Sequence, residues 1–369
     1  MSFVKIFGNF KNIICYTIIV SVVFVSVIYV NGEEKHPDIH AQNGAILIAC
    51  DTGAVFYEQD ADKIAPMAST TKIMSTMLAL ESKNLDETFV VDSNAIKVEG
   101  SSMGLREGDM VTLRDLCYGM MLPSGNDAAN AAAVRVSGSI DKFVKKMNSK
   151  AKEIGMKNTN FCTPSGLDTA DPNEHHSTAR DMAVLVKKAM ENPDFCDICS
   201  QYSKQLCYGN PPYNRTLYNH NKLLNSYEGA CGVKTGFTKK AGRCLVSAAQ
   251  KDGVKLIAVV LKDYADWNDS KALFDYGFSK MSLVNLPNDF SDISLTAVGS
   301  QDEKFGVKSD VPPKTSITND DINKVKITIK TDPFYYAPIK EGSKVGEAVY
   351  SIDNNILCKV NLYADKNIE

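Results

Sequence analysis

The hydrophobic and polar pattern of the chain begins with one long apolar stretch. Ile13–Val30 contains no charged residue, and Lys5 and Lys11 precede it. A basic flank followed by an apolar run is typical of an export signal. The run is also just long enough to cross a bilayer. We therefore predict that residues 1–32 form either a cleaved signal peptide or a retained membrane anchor. Both alternatives place the rest of the chain outside the cytoplasm.

The pattern from residue 33 to residue 279 mixes strand and helix periods. Short apolar runs predict strands at Ala45–Ala49, Ala54–Tyr57, Cys244–Ala249 and Leu256–Leu261, with hairpin turns at Asp51-Thr52-Gly53 and Asp252-Gly253. Helical spacing predicts helices at Ser69–Ser82, Asp127–Val136, Lys142–Ile154, Thr178–Met190 and Trp267–Tyr276. Gly155 is predicted to end the third of these helices, and Gly277 the fifth. One hairpin, several helices, and then a hairpin with a last helix predict an antiparallel sheet flanked by helices. The predicted fold class is α+β rather than doubly wound.

The pattern changes at about residue 280, where helical spacing ends. Alternating runs at Val325–Ile329, Ala348–Ile352 and Ile356–Leu362 stand among Asp, Asn, Pro and Gly residues. Period-two alternation between turn residues is typical of half-buried strands. We therefore predict two domains after the N-terminal segment: residues 33–279, and a small all-β domain at residues 280–369.

Composition narrows the classes of function. The chain has 369 residues, of which 44% are hydrophobic and 23% charged, and its formal net charge is −3. These values are those of an ordinary globular protein. Binding to nucleic acid needs a cationic surface, so the charge balance argues against nucleic acid as the main partner.

The cysteines do not predict a disulfide framework. One of the ten, Cys15, falls in the N-terminal segment, and the odd number that remains leaves at least one thiol unpaired. A chain of this size needs no staples for its core, and we expect mostly reduced, buried thiols. Cys196-x-x-Cys199 stands alone, without a nearby histidine, and is therefore a poor zinc site.

The first motif with chemical meaning is Ser69-Thr70-Thr71-Lys72. Positions i and i+3 of a helix share one face, which places the Lys72 amine beside the Ser69 hydroxyl. A serine becomes a good nucleophile when a neighbouring base takes its proton, and a lysine is such a base once burial or a second cation lowers its pKa. The same spacing recurs at Ser139 and Ser149 on a solvated helix face, where it is accidental. Pro66 and the apolar helix favour Ser69.

Two further motifs complete a set. Ser124-Gly125-Asn126 places a hydroxyl and an amide in a loop before an alanine-rich helix, and Lys234-Thr235-Gly236 precedes Phe237 before a strand. Lys234 supplies the second cation, Thr235 supplies a hydroxyl for a carboxylate, and Gly236 allows a substrate backbone to approach an edge strand. Each motif alone also fits an ordinary loop or surface turn. In this order, the three motifs are those of class A β-lactamases and penicillin-binding proteins.

Longer stretches extend this similarity. They are Pro66–Met74, Pro123–Ala129, Asn160-Phe161 with Pro164–Leu167, His176–Asp181, Asn219–Leu224 and Gly232–Gly242. In this order they resemble the low-molecular-mass serine D-alanyl-D-alanine carboxypeptidases, which are penicillin-binding proteins of peptidase family S11. The resemblance covers about Asn43–Phe278. The β-rich region resembles the second domain of that family more faintly, through Ala337-Pro338, Gly342 and Val345-Gly346.

The resemblance implies a role for each motif residue. Ser69 would attack the carbonyl between two D-alanines, with Lys72 as general base. Ser124 and Asn126 would assist proton transfer and hold the peptide, and Lys234 with Thr235 and Gly236 would bind its carboxylate end. The N–H groups of Ser69 and Phe237 would form the oxyanion hole. The implied substrate is a peptidoglycan stem peptide ending in D-Ala-D-Ala, with β-lactams as covalent inhibitors and with no cofactor or metal ion.

Two departures from the family pattern stand out. Many relatives carry an arginine shortly before the last helix that helps to hold the carboxylate, whereas residues 263–269 contain none. Arg243 is the candidate substitute, but the sequence does not place it. The chain also ends without the amphipathic membrane-surface helix of many relatives. Attachment to a membrane would therefore depend on the N-terminal segment.

Other functions remain open at this point. A class A β-lactamase needs a glutamate on a loop between the second and third motifs, and Glu174 and Glu191 fit that pattern poorly. A transpeptidase differs only in its acceptor, and an inactive wall-binding module would share the fold. For His175-His176 we expect a structural role rather than metal binding, because adjacent side chains on an extended segment point in opposite directions.

Overall fold

A five-stranded antiparallel sheet organises the first part of the chain. The computed structural model describes residues 36–169, 174–309, 313–353 and 355–369, so the predicted signal or anchor at residues 1–32 lies outside the described residues. The strands of this part of the chain, in and outside that sheet, are β1 (Ala45–Ala49), β2 (Val55–Gln59), β3 (Phe89–Val90), β4 (Met110–Val111), β5 (Ser203–Gly209), β6 (Pro212–Tyr218), β7 (Ala230–Thr238), β8 (Gly242–Lys251) and β9 (Val254–Leu261). Strands β3 and β4 pair with each other, as do β5 and β6. The sheet runs in the order β2-β1-β9-β8-β7, so both predicted hairpins are confirmed and β7 forms one edge.

Helices cover both faces of this sheet. They are α1 (Lys72–Leu80), α2 (Leu113–Met121), α3 (Asn126–Ser137), α4 (Ile140–Ile154), α5 (Ala179–Ala189), α6 (Pro193–Ser200), α7 (Leu223–Ser226) and α8 (Asp266–Lys280). Strand β1 shows how the faces divide: Ile46 and Ile48 pack into a core with α1, whereas Leu47 packs into a second core with α8. Each residue of β1 is buried because alternate side chains enter different cores.

Two details of the predicted helices were wrong. The Ser69–Ser82 helix starts as a 3₁₀ turn at Ala68–Thr71, and its α-helical part begins only at Lys72. Gly277 does not end the last helix, which continues to Lys280. A Cβ atom at Gly277 would lie 2.6 Å from Leu256, so this glycine lets α8 pack closely on the sheet.

Two other local predictions are confirmed, namely the end of one helix at Gly155 and the start of another at Thr178. Gly155 ends α4 in the left-handed conformation, with φ of 90°, and Thr178 caps α5 by accepting a hydrogen bond from the N–H of Asp181. Ser139 is the N-cap of α4. Its spacing to a lysine is therefore a capping feature rather than a catalytic motif.

The second part of the chain is built from strands. They are β10 (Met281–Asn285), β11 (Ser294–Val298), β12 (Lys304–Lys308), β13 (Lys314–Thr318), β14 (Lys326–Lys330), β15 (Tyr335–Tyr336), β16 (Lys344–Ile352) and β17 (Asn355–Ala364), with one 3₁₀ turn at Asn319–Lys324. A six-stranded sheet runs in the order β14-β16-β17-β12-β11-β15 over its own apolar core, as its alternating pattern predicts. The carboxylate of Asp51, in the first hairpin turn, accepts the N–H of Ser316 at 2.8 Å. No helix in the described ranges is long and apolar enough to cross a bilayer.

Candidate active site

The 3₁₀ turn before α1 presents the side chain of Ser69. The Thr70 hydroxyl donates to the carbonyl of Met67 at 2.6 Å, and the Thr71 hydroxyl donates to that of Ala68 at 2.8 Å. Ala68 has a φ of 49°, a conformation that a residue with a Cβ rarely adopts. The two threonines therefore hold a tight turn that separates Ser69 from the regular helix.

Lys72 lies directly behind this serine and is fully buried. Its Nζ lies 2.9 Å from Ser69 Oγ, 2.7 Å from Asn126 Oδ1 and 2.7 Å from the carbonyl oxygen of Ser165. An ammonium group would donate to all three oxygens. A neutral amine would donate to Asn126 and Ser165 and direct its lone pair at the Ser69 hydroxyl.

Burial is the main reason why the pKa of Lys72 is well below its usual value, and the positive charge of Lys234 lowers it further. The nearby carboxylate of Asp127 opposes both effects. A lysine with a lowered pKa, held at hydrogen-bonding distance from a serine, can accept the proton of that serine.

The second motif lies between α2 and α3. Ser124 is buried and has a φ of 64°, so its hydroxyl is held on a left-handed turn at the cleft. Asn126 is the first residue of α3, and its amide joins two elements by accepting from Lys72 and donating to the carbonyl of Glu99 at 2.7 Å. The structure thus brings Asn126 to the amine that the first motif supplies.

Asp127 fixes the segment that faces this loop. Its buried carboxylate accepts the N–H groups of Met103, Gly104 and Leu105 and the hydroxyl of Ser102. The carbonyl just before this segment, that of Ser101, accepts the N–H of Asn126 at 2.7 Å. These contacts place Ser101 in the cleft wall, although no sequence signal marked it.

The third motif lies on the edge strand β7. Lys234 is 1% exposed, its amine donates to the carbonyl of Thr235 at 3.0 Å, and burial lowers its pKa to about 7. A Cβ at Gly236 would come within 3.0 Å of the carbonyl of Met67 and 3.2 Å of the Ser69 nitrogen. Because Gly236 has no side chain, the edge strand passes close to the Ser69 turn.

These elements enclose a cavity of about 400 Å³. The predicted residues Ser69, Ser124, Thr235, Gly236 and Phe237 line it, whereas Lys72, Asn126 and Lys234 are buried residues and are not part of its lining. Sequence reasoning gave no role to five other lining residues, which are Ser101, His220, Cys244, Asp266 and Trp267. Of these, only His220 lies in a stretch that the family resemblance marked.

His175 supports the Ser69 turn from outside the cleft. Its Nδ1 accepts the N–H of Cys162, and its Nε2 lies 2.8 Å from the hydroxyl of Thr71. Since the Thr71 hydrogen already goes to Ala68, Nε2 must donate, which fixes a neutral imidazole. Burial, with smaller contributions from His176 and Lys72, lowers the pKa of His175 to about 4. The predicted structural role is confirmed.

Other candidate residues lie away from the chemistry. Glu174 and Glu191 are exposed and are absent from the cavity lining. Cys199 and Cys231 are free thiols, joined by a hydrogen bond from Cys199 Sγ to the carbonyl of Cys231 at 3.4 Å. In the part of the chain that the structure describes, no group of three or more His, Cys, Asp or Glu residues is arranged to hold a metal ion.

Comparison with known proteins agrees with this geometry. Residues 31–265 match the D-alanyl-D-alanine carboxypeptidase family, and residues 291–369 match the C-terminal domain of penicillin-binding protein 5. The chain is 32% identical to the D-alanyl-D-alanine carboxypeptidase DacF of Bacillus subtilis over 349 residues, which cover 92% of this chain and 89% of that protein. It is 35% identical to DacB2 of Mycobacterium tuberculosis over 254 residues, covering 67% and 86%.

Solved structures show the same similarity. Penicillin-binding protein 5 from Haemophilus influenzae superposes with a TM-score of 0.69 at 27% identity, covering 90% of this chain and 99% of that chain. The DD-transpeptidase of Streptomyces K15 superposes with a TM-score of 0.63 at 32% identity, covering 66% and 99%. The predicted α+β fold with an all-β second part is therefore confirmed. The chain belongs to the serine-type D-alanyl-D-alanine carboxypeptidases of peptidase family S11, and it is a serine hydrolase of the low-molecular-mass penicillin-binding protein class.

Proposed function

We propose that this enzyme removes the terminal D-alanine from peptidoglycan stem peptides ending in D-Ala-D-Ala, through an acyl-enzyme on Ser69. The observation that carries the proposal is the buried contact of 2.9 Å between Lys72 Nζ and Ser69 Oγ. The names of the relatives support the substrate class. The lowered pKa of Lys72 supports its role as the base.

Acylation begins when neutral Lys72 accepts the proton of Ser69. Oγ then bonds to the carbonyl carbon of the penultimate D-alanine, and the oxyanion receives hydrogen bonds from the N–H groups of Ser69 and Phe237. As the intermediate collapses, the carbon–nitrogen bond breaks. The proton returns to the departing amine of the terminal D-alanine, by way of the Ser124 hydroxyl that faces the same cavity.

Deacylation repeats the chemistry with water. Water bonds to the acyl carbon while Lys72 accepts its proton, and the bond to Ser69 Oγ then breaks as that oxygen regains a proton. Asn126 would help to hold the peptide from behind the cavity lining, and its own side chain is held between Lys72 and the carbonyl of Glu99. Lys234 and Thr235 would bind the carboxylate of the terminal D-alanine, and Gly236 and Phe237 would border the bound peptide.

The test combines intact mass and product release. The full chain is incubated with benzylpenicillin and, separately, with a tripeptide ending in D-Ala-D-Ala. A lasting adduct of one drug molecule together with release of D-alanine supports the proposal, and both must vanish in Ser69→Ala. Ser149→Ala is the matched control, since Ser149 has the same spacing to a lysine on an exposed part of α4.

Different failures identify different alternatives. A transient adduct with rapid drug turnover would indicate a β-lactamase, and no adduct at any time would indicate an inactive binding module. The similarity to the Streptomyces K15 DD-transpeptidase favours a second activity, transfer to an amine. Adding glycine as acceptor to the peptide assay tests this activity through formation of a transfer product.

We also propose that the chain works outside the cytoplasm, that residues 1–32 are its signal or anchor, and that residues 33–279 and 280–369 are its two domains. The apolar N-terminal stretch supports the first two statements, and the separate family matches to residues 31–265 and 291–369 support the third. The mass of the protein recovered from cells distinguishes a cleaved segment from a retained one. Limited proteolysis near residue 280 tests the domain division.

A further inference from the structure

Arg243 lies in the active-site cleft, on the strand next to the edge strand. In the antiparallel pair of β7 and β8, Arg243 stands directly opposite Phe237, and Thr235 pairs with Leu245. Directly opposed residues share a face of the sheet, and so do residues two apart on one strand. Thr235, Phe237 and Arg243 therefore belong to one face, and all three line the cavity.

The guanidinium of Arg243 is anchored on one side only. Its Nη2 donates to Asp266 Oδ1 at 2.6 Å and its Nε donates to Asp266 Oδ2 at 3.1 Å. The Asp266 side chain is 4% exposed, whereas that of Arg243 is 38% exposed. The guanidinium carbon also lies 5.8 Å from the centre of the Trp267 ring. A buried carboxylate thus orients a guanidinium that faces solvent.

Two other arginines bind a carboxylate in the same way as Arg243, but each of them also binds a second carboxylate. Arg114 and Arg180 each bind one carboxylate through Nε and Nη2, as Arg243 does, and each then binds a second carboxylate through a terminal nitrogen. Their second partners are Asp194 and Glu58. No described residue takes that second position on Arg243.

A guanidinium has five N–H donors, and Asp266 uses two of those on Arg243. The remaining edge, formed by Nη1 and Nη2, has the geometry that binds a carboxylate through two parallel hydrogen bonds. Thr235 is the diagonal neighbour of Arg243 across the strand pair, a spacing of about 7–8 Å that a long side chain can span. A carboxylate between them would contact both.

We propose that Arg243 binds the terminal carboxylate of the substrate through its free edge, and that Asp266 acts as a positioning residue for that guanidinium. This inference rests on the proposed function, because it assigns a recognition group to the same reaction. Arg243 would then favour the binding of peptides that have a free C-terminal carboxylate. Buried Lys234 would attract the carboxylate by its charge, while Arg243 in the cleft wall would orient it through two parallel hydrogen bonds.

The experiment compares two substrates that differ in one group: a tripeptide ending in D-Ala-D-Ala with a free carboxylate, and the same tripeptide as its C-terminal amide. For Arg243→Gln we expect kcat/KM on the free acid to fall about 10- to 100-fold, as for the loss of a charged two-bond contact, mainly through KM. On the amide we expect a change of less than about threefold, because no carboxylate is present to be lost. On the free acid, kcat/KM of Arg243→Lys should lie between those of the wild type and Arg243→Gln, since a lysine keeps the charge but not the two parallel N–H donors.

Arg180→Gln is the matched control, because Arg180 has two acidic partners of its own and is absent from the cavity lining. It should leave the ratio of acid to amide turnover unchanged. Asp266→Asn should lower this ratio in the same direction as Arg243→Gln, but by less. If Arg243→Gln slows both substrates equally, or neither, the assignment is wrong. Should the glutamine variant fail to fold, Arg243→Lys decides by the same ratio.

The outcome is separable from the proposed function. If the wild-type enzyme forms an adduct with benzylpenicillin but releases no D-alanine, the carboxypeptidase proposal fails on its own. Arg243 is then judged by acylation rates with benzylpenicillin and with its methyl ester, which lacks the carboxylate. A loss confined to the free acid supports the assignment, and an equal loss on both overturns it.

Discussion

The two walls of the cleft hold cations in opposite ways. The inner wall lies behind the cavity lining and contains Lys72 and Lys234, which are 0% and 1% exposed, and burial lowers the pKa of both. In the outer wall, the Arg243 side chain is 38% exposed and Phe237 is 64% exposed. Proton transfer needs an amine that can be neutral, which burial provides. Recognition needs a cation that stays charged and accessible, which an exposed arginine provides.

The largest effect should follow from removing the inner amine. Lys72→Ala takes away the group that accepts the Ser69 proton, and we expect acylation by benzylpenicillin to slow by about a thousandfold, within the range measured for general bases. Stopped-flow or mass-resolved acylation rates measure this. Lys152→Ala is the control, because Lys152 completes a chance repeat of the motif on the exposed side of α4. A loss below tenfold would show that another group is the base.

The next largest effect should follow from a change in the distance between the edge strand β7 and the Ser69 turn. Gly236→Ala would place a Cβ 3.0 Å from the Met67 carbonyl and 3.2 Å from the Ser69 nitrogen, so the edge strand must move away from the Ser69 turn. A contact this short calls for a shift of a few tenths of an ångström, so we expect acylation to slow roughly tenfold, less than the hundredfold that a misplacement near 1 Å can cost. Gly108→Ala tests strain alone, since Gly108 has positive φ and open space around it. That control should lower stability but keep the acylation rate, and an unchanged rate in Gly236→Ala would contradict the prediction.

Both variants act on residues that the sequence could identify. Ser69, Lys72, Ser124 and Lys234 are recognisable because a reaction needs those side chains, and their motifs are contiguous. The sheet was predictable for a similar reason, since buried strands appear as apolar runs between turn residues.

The partners of these residues were not predictable. The carbonyl of Ser165 that binds Lys72 is a backbone group, and any residue type carries one. The position of Arg243 depends on the register of β7 and β8, which no short motif specifies. Gly277 was misinterpreted as a helix cap because its requirement comes from the packing of α8 on the sheet.

A third effect tests how the support of the Ser69 turn responds to acid. His175 has a pKa of about 4 in the folded chain against 6.5 for the free side chain. Below pH 6.5 the unfolded chain therefore takes up a proton that the folded chain does not, and stability falls with pH down to about 4. We expect a loss of about 3 kcal/mol over this window, from 1.4 kcal/mol for each pH unit.

Urea unfolding at several pH values measures this dependence. His175→Gln should flatten the curve between pH 4 and 6.5, and its neighbour His176→Gln, in the partly exposed position, should leave it steep. Equal slopes in the wild type and His175→Gln would contradict the neutral, buried histidine that the contacts to Thr71 and Cys162 require.

The smallest effect separates the contributions of two cations to carboxylate binding: Lys234, behind the cavity lining, and Arg243, which is part of that lining. Burial lowers the pKa of Lys234 to about 7, so its charge is present below pH 7 and is lost as the pH rises through that value, whereas an arginine stays charged. KM for the free-acid peptide should therefore rise about threefold between pH 7 and pH 9, less than the tenfold per unit of a lone cation, because Arg243 remains. In Arg243→Gln the rise should be steeper, and with the amide peptide KM should stay flat. His220 also faces Lys234 but has a lowered pKa, so it is neutral across this range. A flat profile with the free acid in both proteins would show that Lys234 keeps its charge above pH 7, and that burial in the inner wall is offset when the carboxylate binds.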